Sequence, residues 1–111
     1  MPRKSAHACE LSDLFRVLGD AYVLDILHSA IDGPGPLRFN AFQAAIGMSS
    51  NALADRLKRL VSAGLLSRES FNEIPPRVEY RATEKAMELK PVFDSLKGWS
   101  TRNDLKPFKA A

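Results

Sequence analysis

Apolar residues recur along this chain mostly at helical spacing, with strand-like alternation confined to one stretch past the middle. Leu11, Leu14, Phe15 and Leu18 mark one face of a first helix over Glu10–Leu18, which Gly19 breaks. Val23, Ile26, Leu27, Ala30 and Ile31 mark a second over Ala21–Ile31. Asp32-Gly33-Pro34-Gly35-Pro36 admits no regular structure, because prolines and glycines interrupt both helix and strand. Leu37-Arg38-Phe39 fits a short strand. Asn40 then fits an N-cap, with Phe39 as its hydrophobic staple, for a third helix over Ala41–Ile46 closed by Gly47.

The next segment is the most informative. Leu53, Leu57 and Leu60 line one face of a fourth helix over Asn51–Ala63, capped by Ser49 or Ser50 and ended by Gly64. Its opposite face carries Asn51, Asp55, Lys58 and Ser62, flanked by Arg56 and Arg59. Two strands follow, Leu65–Phe71 and Arg77–Ala82, with Val78 and Tyr80 on one side and Asn72-Glu73-Ile74-Pro75-Pro76 as the tip. Thr83 caps a last helix that starts at Glu84 and carries Leu89, Val92, Phe93, Leu96 and Trp99. Pro91 must kink or restart it. A short helix, a tight turn, a longer helix and a hairpin, in that order, predict a mainly α fold with a small β-wing: a winged helix-turn-helix.

Composition narrows the partners. The 111 residues make one domain, with an ordered core over about residues 9–100 and a loose arm (1–8) and tail (101–111). The net charge of +3 and a pI near 9.2 permit a nucleic-acid partner without demanding one. Cys9 is the single cysteine, so no disulfide can form within the chain. No stretch has the length of a signal peptide or membrane span, which points to the cytoplasm and no membrane partner. His7 and His28 with Cys9 are too few and too scattered for a metal site. No phosphate loop or nucleophile–base set occurs, so neither cofactor nor enzyme activity is expected.

With its elements placed, the chain resembles the HxlR-type branch of winged-helix transcription regulators, relatives of the MarR family. Leu18-Gly19-Asp20-Ala21-Tyr22 is similar to that branch's leucine-glycine-glycine-lysine-tryptophan run, and Arg38-Phe39-Asn40-Ala41-Phe42 to its turn before the third helix. Leu53 to Leu60 with Gly64-Leu65-Leu66 is similar to its recognition helix. Pro75-Pro76-Arg77-Val78-Glu79-Tyr80 is the most specific mark, similar to its wing. The likeness covers about Cys9 to Trp99. It implies a homodimer on a palindromic operator, joined through the terminal helix with help from the first, and acting as a repressor or activator. The effector, an oxidant or a small molecule, stays open.

Each candidate residue also has a plainer role. Asn51 suits adenine and Lys58 suits guanine or a phosphate. Ser50 can reach a base or phosphate, or simply cap the helix. Asp55 can accept from cytosine or pair with Arg59, four residues on. Arg56 and Arg59 suit phosphates, which fix register and carry no sequence information. Arg77, by the resemblance, reaches the DNA backbone or minor groove. Otherwise it is a solvated hairpin arginine. Leu89, Val92, Phe93, Leu96 and Trp99 form the expected dimer seam, against docking on the domain's own core. Cys9 is a candidate redox sensor beside Arg3, Lys4 and His7, opposed by Glu10, or else a small packed apolar residue. Two other functions compete with DNA-binding regulation: a winged-helix protein-interaction module without DNA binding, and, ranked last, a small thiol enzyme at Cys9.

Overall fold

A computed structural model describes residues 10–33 and 35–104. Its elements run α1 (Leu11–Leu18), α2 (Val23–Asp32), α3 (Phe39–Ile46), α4 (Ser50–Ser62), β1 (Leu66–Phe71), β2 (Arg77–Ala82), α5 (Glu84–Met87) and α6 (Lys90–Arg102). The strands pair antiparallel, from Leu66 opposite Ala82 to Phe71 opposite Arg77. This is a winged helix-turn-helix, as the order of apolar patterns predicts. Cys9 with the arm 1–8, and residues 105–111, lie outside the described residues.

α2 is the hub. Its Val23, Ile26, Leu27 and Ile31 are buried together with Phe42 of α3, Leu53, Leu57 and Leu60 of α4, Leu65, Leu66 and Ala86. Phe42 meets the Tyr80 ring edge-on at 6.2 Å, which fastens the helix-turn-helix to the wing.

The ends of α4 follow from its sequence. The Ala52 N–H donates to Ser49 Oγ at 3.2 Å, so Ser49 is the N-cap. At the other end Gly64, at φ 79°, turns left-handed at no steric cost. Leu65 N–H then returns to the Leu60 carbonyl (2.9 Å) and Gly64 N–H to that of Val61 (3.0 Å). Thr83 Oγ1 donates to the Gly64 carbonyl at 2.7 Å and accepts from Ala86 N–H at 3.2 Å, so one hydroxyl ends α4's exit turn and starts α5.

Several boundaries differ from the sequence reading. Asn40 is not a cap: α3 begins at Phe39, with extended Arg38 ahead of it and no side-chain cap bond. The expected strand over 37–39 shrinks to Leu37, which exchanges both backbone bonds with Tyr80 (2.9 and 2.8 Å). Only that residue meets the edge of β2, and the chain is free to coil directly after it. α2 begins at Val23 rather than Ala21, because Tyr22 sits at φ 70° and cannot continue a right-handed helix. Pro91 restarts rather than kinks the last helix, splitting it at Leu89, and α6 reaches Arg102, two residues into the expected tail.

Candidate nucleic-acid interface

Because Leu53, Leu57 and Leu60 are turned inward, helical geometry sends Asn51, Ala54, Lys58 and Ser62 outward, and all four are exposed. α3 is braced against α4 by Gln43, whose amide donates to the Met48 carbonyl (3.2 Å) and to Ser50 Oγ (2.9 Å). The Ser50 hydroxyl is thus held between the two helices. Gln43 was missed in the sequence reading, since its partner lies seven residues on with no local pattern to reveal it.

The cations divide into two groups. Arg59 Nη1 donates to Asp20 Oδ2 at 2.8 Å, and Arg59 Nε lies 3.1 Å from Asp55 Oδ2. Arg56 lies against the same two carboxylates, Nε 3.5 Å from Asp20 and Nη1 3.4 Å from Asp55. Arg56 and Arg59 therefore sit on the flank of α4 facing the α1–α2 turn. Asp20 is the second residue that sequence reasoning missed. In the wing, Arg77 lies with Nε 2.9 Å from Glu73, Nη1 3.7 Å from Glu79 and its guanidinium 3.9 Å above the Phe71 ring. Lys58 and Arg68, by contrast, are exposed with no carboxylate partner among the described residues. They border a shallow hollow of about 290 Å³ between α4 and the wing, floored by Phe39, Val61 and Tyr80.

The five candidate seam residues also divide. Leu89 and Phe93 turn inward onto the core, where Phe93 meets the His28 ring edge-on at 5.6 Å. Val92, Leu96 and Trp99 remain 50%, 52% and 48% exposed. Beside them run Leu11 and Phe15 of α1, 63% and 60% exposed. An apolar groove of about 490 Å³ lies between α1 and α6, lined by Leu11, Leu14, Phe15, Leu89, Val92 and Leu96 among others. Among the described residues no cluster of His, Cys, Asp or Glu is placed to hold a metal ion, and no helix is long and apolar enough to cross a membrane.

A family model described as HxlR-like helix-turn-helix matches residues 17–106. The HTH-type transcriptional regulator YodB of Bacillus subtilis (strain 168) is 34% identical over 92 residues, covering 82% of this chain and 80% of that protein. The solved structure of its reduced form matches with a TM-score of 0.75 at 32% identity, over 86% of this chain and 94% of that one. The redox regulator HypR in its reduced form matches with a TM-score of 0.76 at 28% identity, over 85% and 92%. Four further curated relatives, 35–41% identical, match over 66–69 residues, and the chain spans only 50–63% of their length.

Proposed function

The chain belongs to the HxlR-like helix-turn-helix family of transcriptional regulators, and from that premise we propose that it binds double-stranded DNA sequence-specifically as a homodimer. In this reading α4 enters the major groove, Asn51 takes adenine, and Lys58 takes guanine or a phosphate. Ser50 lies at the groove's entrance, and Asp55 accepts from cytosine where its arginine partners allow it. Arg77, from the wing, faces the backbone, while the phosphate contacts expected of Arg56 and Arg59 compete with their pairing to Asp20 and Asp55. The observation that carries the reading is the division of α4: its leucine stripe is wholly used inside the domain, while Asn51, Ala54, Lys58 and Ser62 stand clear.

The dimer is built on Val92, Leu96 and Trp99 of α6, with Leu11 and Phe15 of α1 beside them and Leu89 and Phe93 bracing α6 from below. Two copies of α4 then meet successive major grooves of a palindromic operator, about 34–36 Å apart, and the bound dimer acts in the cytoplasm as a repressor or activator. Cys9 supplies an oxidant response. As the single thiol, it can form a disulfide only with another molecule, and the similar YodB has been solved in a diamide-treated form. If diamide leaves operator affinity unchanged, Cys9 has no such role.

Genomic selection of bound fragments, followed by anisotropy titrations, tests the reading. Asn51→Ala and Lys58→Ala should each lose about 1–3 kcal/mol on the selected duplex and little on a scrambled one. Equal losses on both would reduce the two residues to backbone contacts. A second reading, a protein-interaction module, draws on the carboxylates that answer Arg56, Arg59 and Arg77 and leave this face only weakly cationic. Salt separates the two, since DNA affinity must fall steeply as salt rises.

A further inference from the structure

Asp20 is held in place from several directions. The preceding Gly19 closes α1 so tightly that a Cβ there would lie 2.5 Å from the Phe15 carbonyl oxygen, which fixes the turn. The Asp20 carboxylate then accepts the Ala21 N–H through Oδ1 at 2.9 Å, which sets its rotamer. Its other oxygen, Oδ2, is left to face α4 and takes Arg59 at 2.8 Å, with Arg56 Nε at 3.5 Å. Asp55 contacts both arginines from within α4. Two guanidinium groups and two carboxylates therefore close a neutral set along this flank, with Asp20 and Arg56 only 28% and 21% exposed.

A carboxylate oxygen and a phosphate oxygen compete for the same guanidinium donors. We propose that Asp20 sets the overall affinity for DNA by occupying Arg59, with Arg56 beside it, in place of duplex phosphate. It thereby lowers affinity for DNA of any sequence and leaves discrimination to Asn51 and Lys58. The proposal rests on the DNA-binding reading above. It differs from a purely structural role, because the Arg59 end of the pair is 62% exposed and such a pair adds little to stability, so removing the Asp20 charge should change binding more than folding.

Asp20→Asn keeps the oxygen that accepts the Ala21 N–H and removes the charge. Anisotropy titrations of the wild type and this variant would use the genomically selected duplex and a scrambled duplex of equal length, over a salt series. The variant should bind the scrambled duplex about tenfold more tightly at moderate salt. Its log K against log salt should steepen by about 0.9 for each arginine released to a phosphate. The selected duplex should gain by a similar factor, so the preference between the two should stay nearly constant, with the melting curve little changed. Arg59→Ala should cost the wild type little on scrambled DNA, yet abolish most of the gain when added to Asp20→Asn. Weaker or unchanged binding by Asp20→Asn, while the wild type still prefers the selected duplex, overturns the assignment and leaves the DNA reading intact. If neither protein binds either duplex at low salt, the DNA reading falls, and the assignment falls with it.

Discussion

α4 and α6 are both thirteen-residue helices with an apolar stripe, and the two stripes end in opposite places. Leu53, Leu57 and Leu60 are 0–1% exposed, whereas Val92, Leu96 and Trp99 are about half exposed. Spacing does not separate them; the receiving surface does. α2 already packs against β2, α3, α5 and α1, and its buried face is shared in one core with the α4 leucines. α6 arrives last in the chain and seats only Leu89 and Phe93. What remains of its stripe, with the exposed edge of α1, is apolar surface that a lone protomer cannot bury, and a second copy is the occupant proposed above.

Cutting the same residue type in each stripe tests that contrast most directly. Leu57→Ala opens a cavity under α4 and should cost about 2–5 kcal/mol of unfolding free energy, read from urea melts. Leu96→Ala should leave the circular-dichroism spectrum of the protomer unchanged and act on association instead. Trp99→Ala should act in the same way and more strongly. An interface anchor of that size contributes about 2 kcal/mol, or about thirtyfold in the dimer dissociation constant, measured by sedimentation equilibrium. If Trp99→Ala unfolds the protomer while its dimer persists at low micromolar concentration, the two stripes do not differ in the way described.

The contrast also separates what was legible in the sequence from what was not. α4 could be read to within one residue at each end because its determinants are local: the leucine spacing, Ser49 or Ser50 before Asn51, Gly64 at the exit. The wing strand Arg77–Ala82 follows from alternation bounded by Pro75-Pro76 and Thr83. The start of α3 was missed because Asn40 is a good cap by type, yet the bridge from Leu37 to Tyr80 decides where the chain bends, and that contact spans the length of the helix-turn-helix. Tyr22 was missed because nothing in an aromatic residue signals a left-handed backbone. In the candidate interface, Asp55–Arg59 was visible as an i, i+4 pair, whereas Asp20 reaches Arg59 across 39 residues and leaves no periodic trace. Which residues could face DNA was therefore readable. Which of their charges are already answered was not.

A smaller effect belongs to the polar bonds that finish α4. Ser49→Ala removes one N-cap bond and should cost about 1 kcal/mol. Thr83→Ala removes the donor to Gly64 and the acceptor for Ala86 together, so its loss should exceed that of Ser49→Ala in the same melts. The reverse order would mean that the exit of α4 is held by its glycine turn and by the bond from Lys85 Nζ to the Ala63 carbonyl (3.1 Å) rather than by the threonine.

The smallest effect concerns the Lys90–Asp32 ion pair, which ties α6 to the hub, and it is visible only at the extremes of pH. Lys90, at the start of α6, donates to Asp32 Oδ1 at 2.9 Å, and His28 Nε2 lies 2.7 Å from Oδ2. The hydrogen bond and charge of Lys90 outweigh desolvation and, with His28, hold the Asp32 carboxyl below its ordinary value of 3.8. The same hydrogen bond and charge, from Asp32, raise Lys90 above its ordinary 10.5. A lowered carboxyl stabilises the fold above its unfolded value and stops doing so as pH falls through the folded one, so this contribution disappears below about pH 4. A raised lysine stabilises below its unfolded value and stops as pH climbs through the folded one, so it disappears above about pH 10.5. Between these edges the pair contributes a flat amount, small because both groups face solvent. Lys90→Met should accordingly leave the neutral melting temperature nearly unchanged and remove the Asp32 share of the acid-side loss. A large drop at neutral pH would mean that this pair, rather than Leu89 and Phe93, seats α6 on the domain.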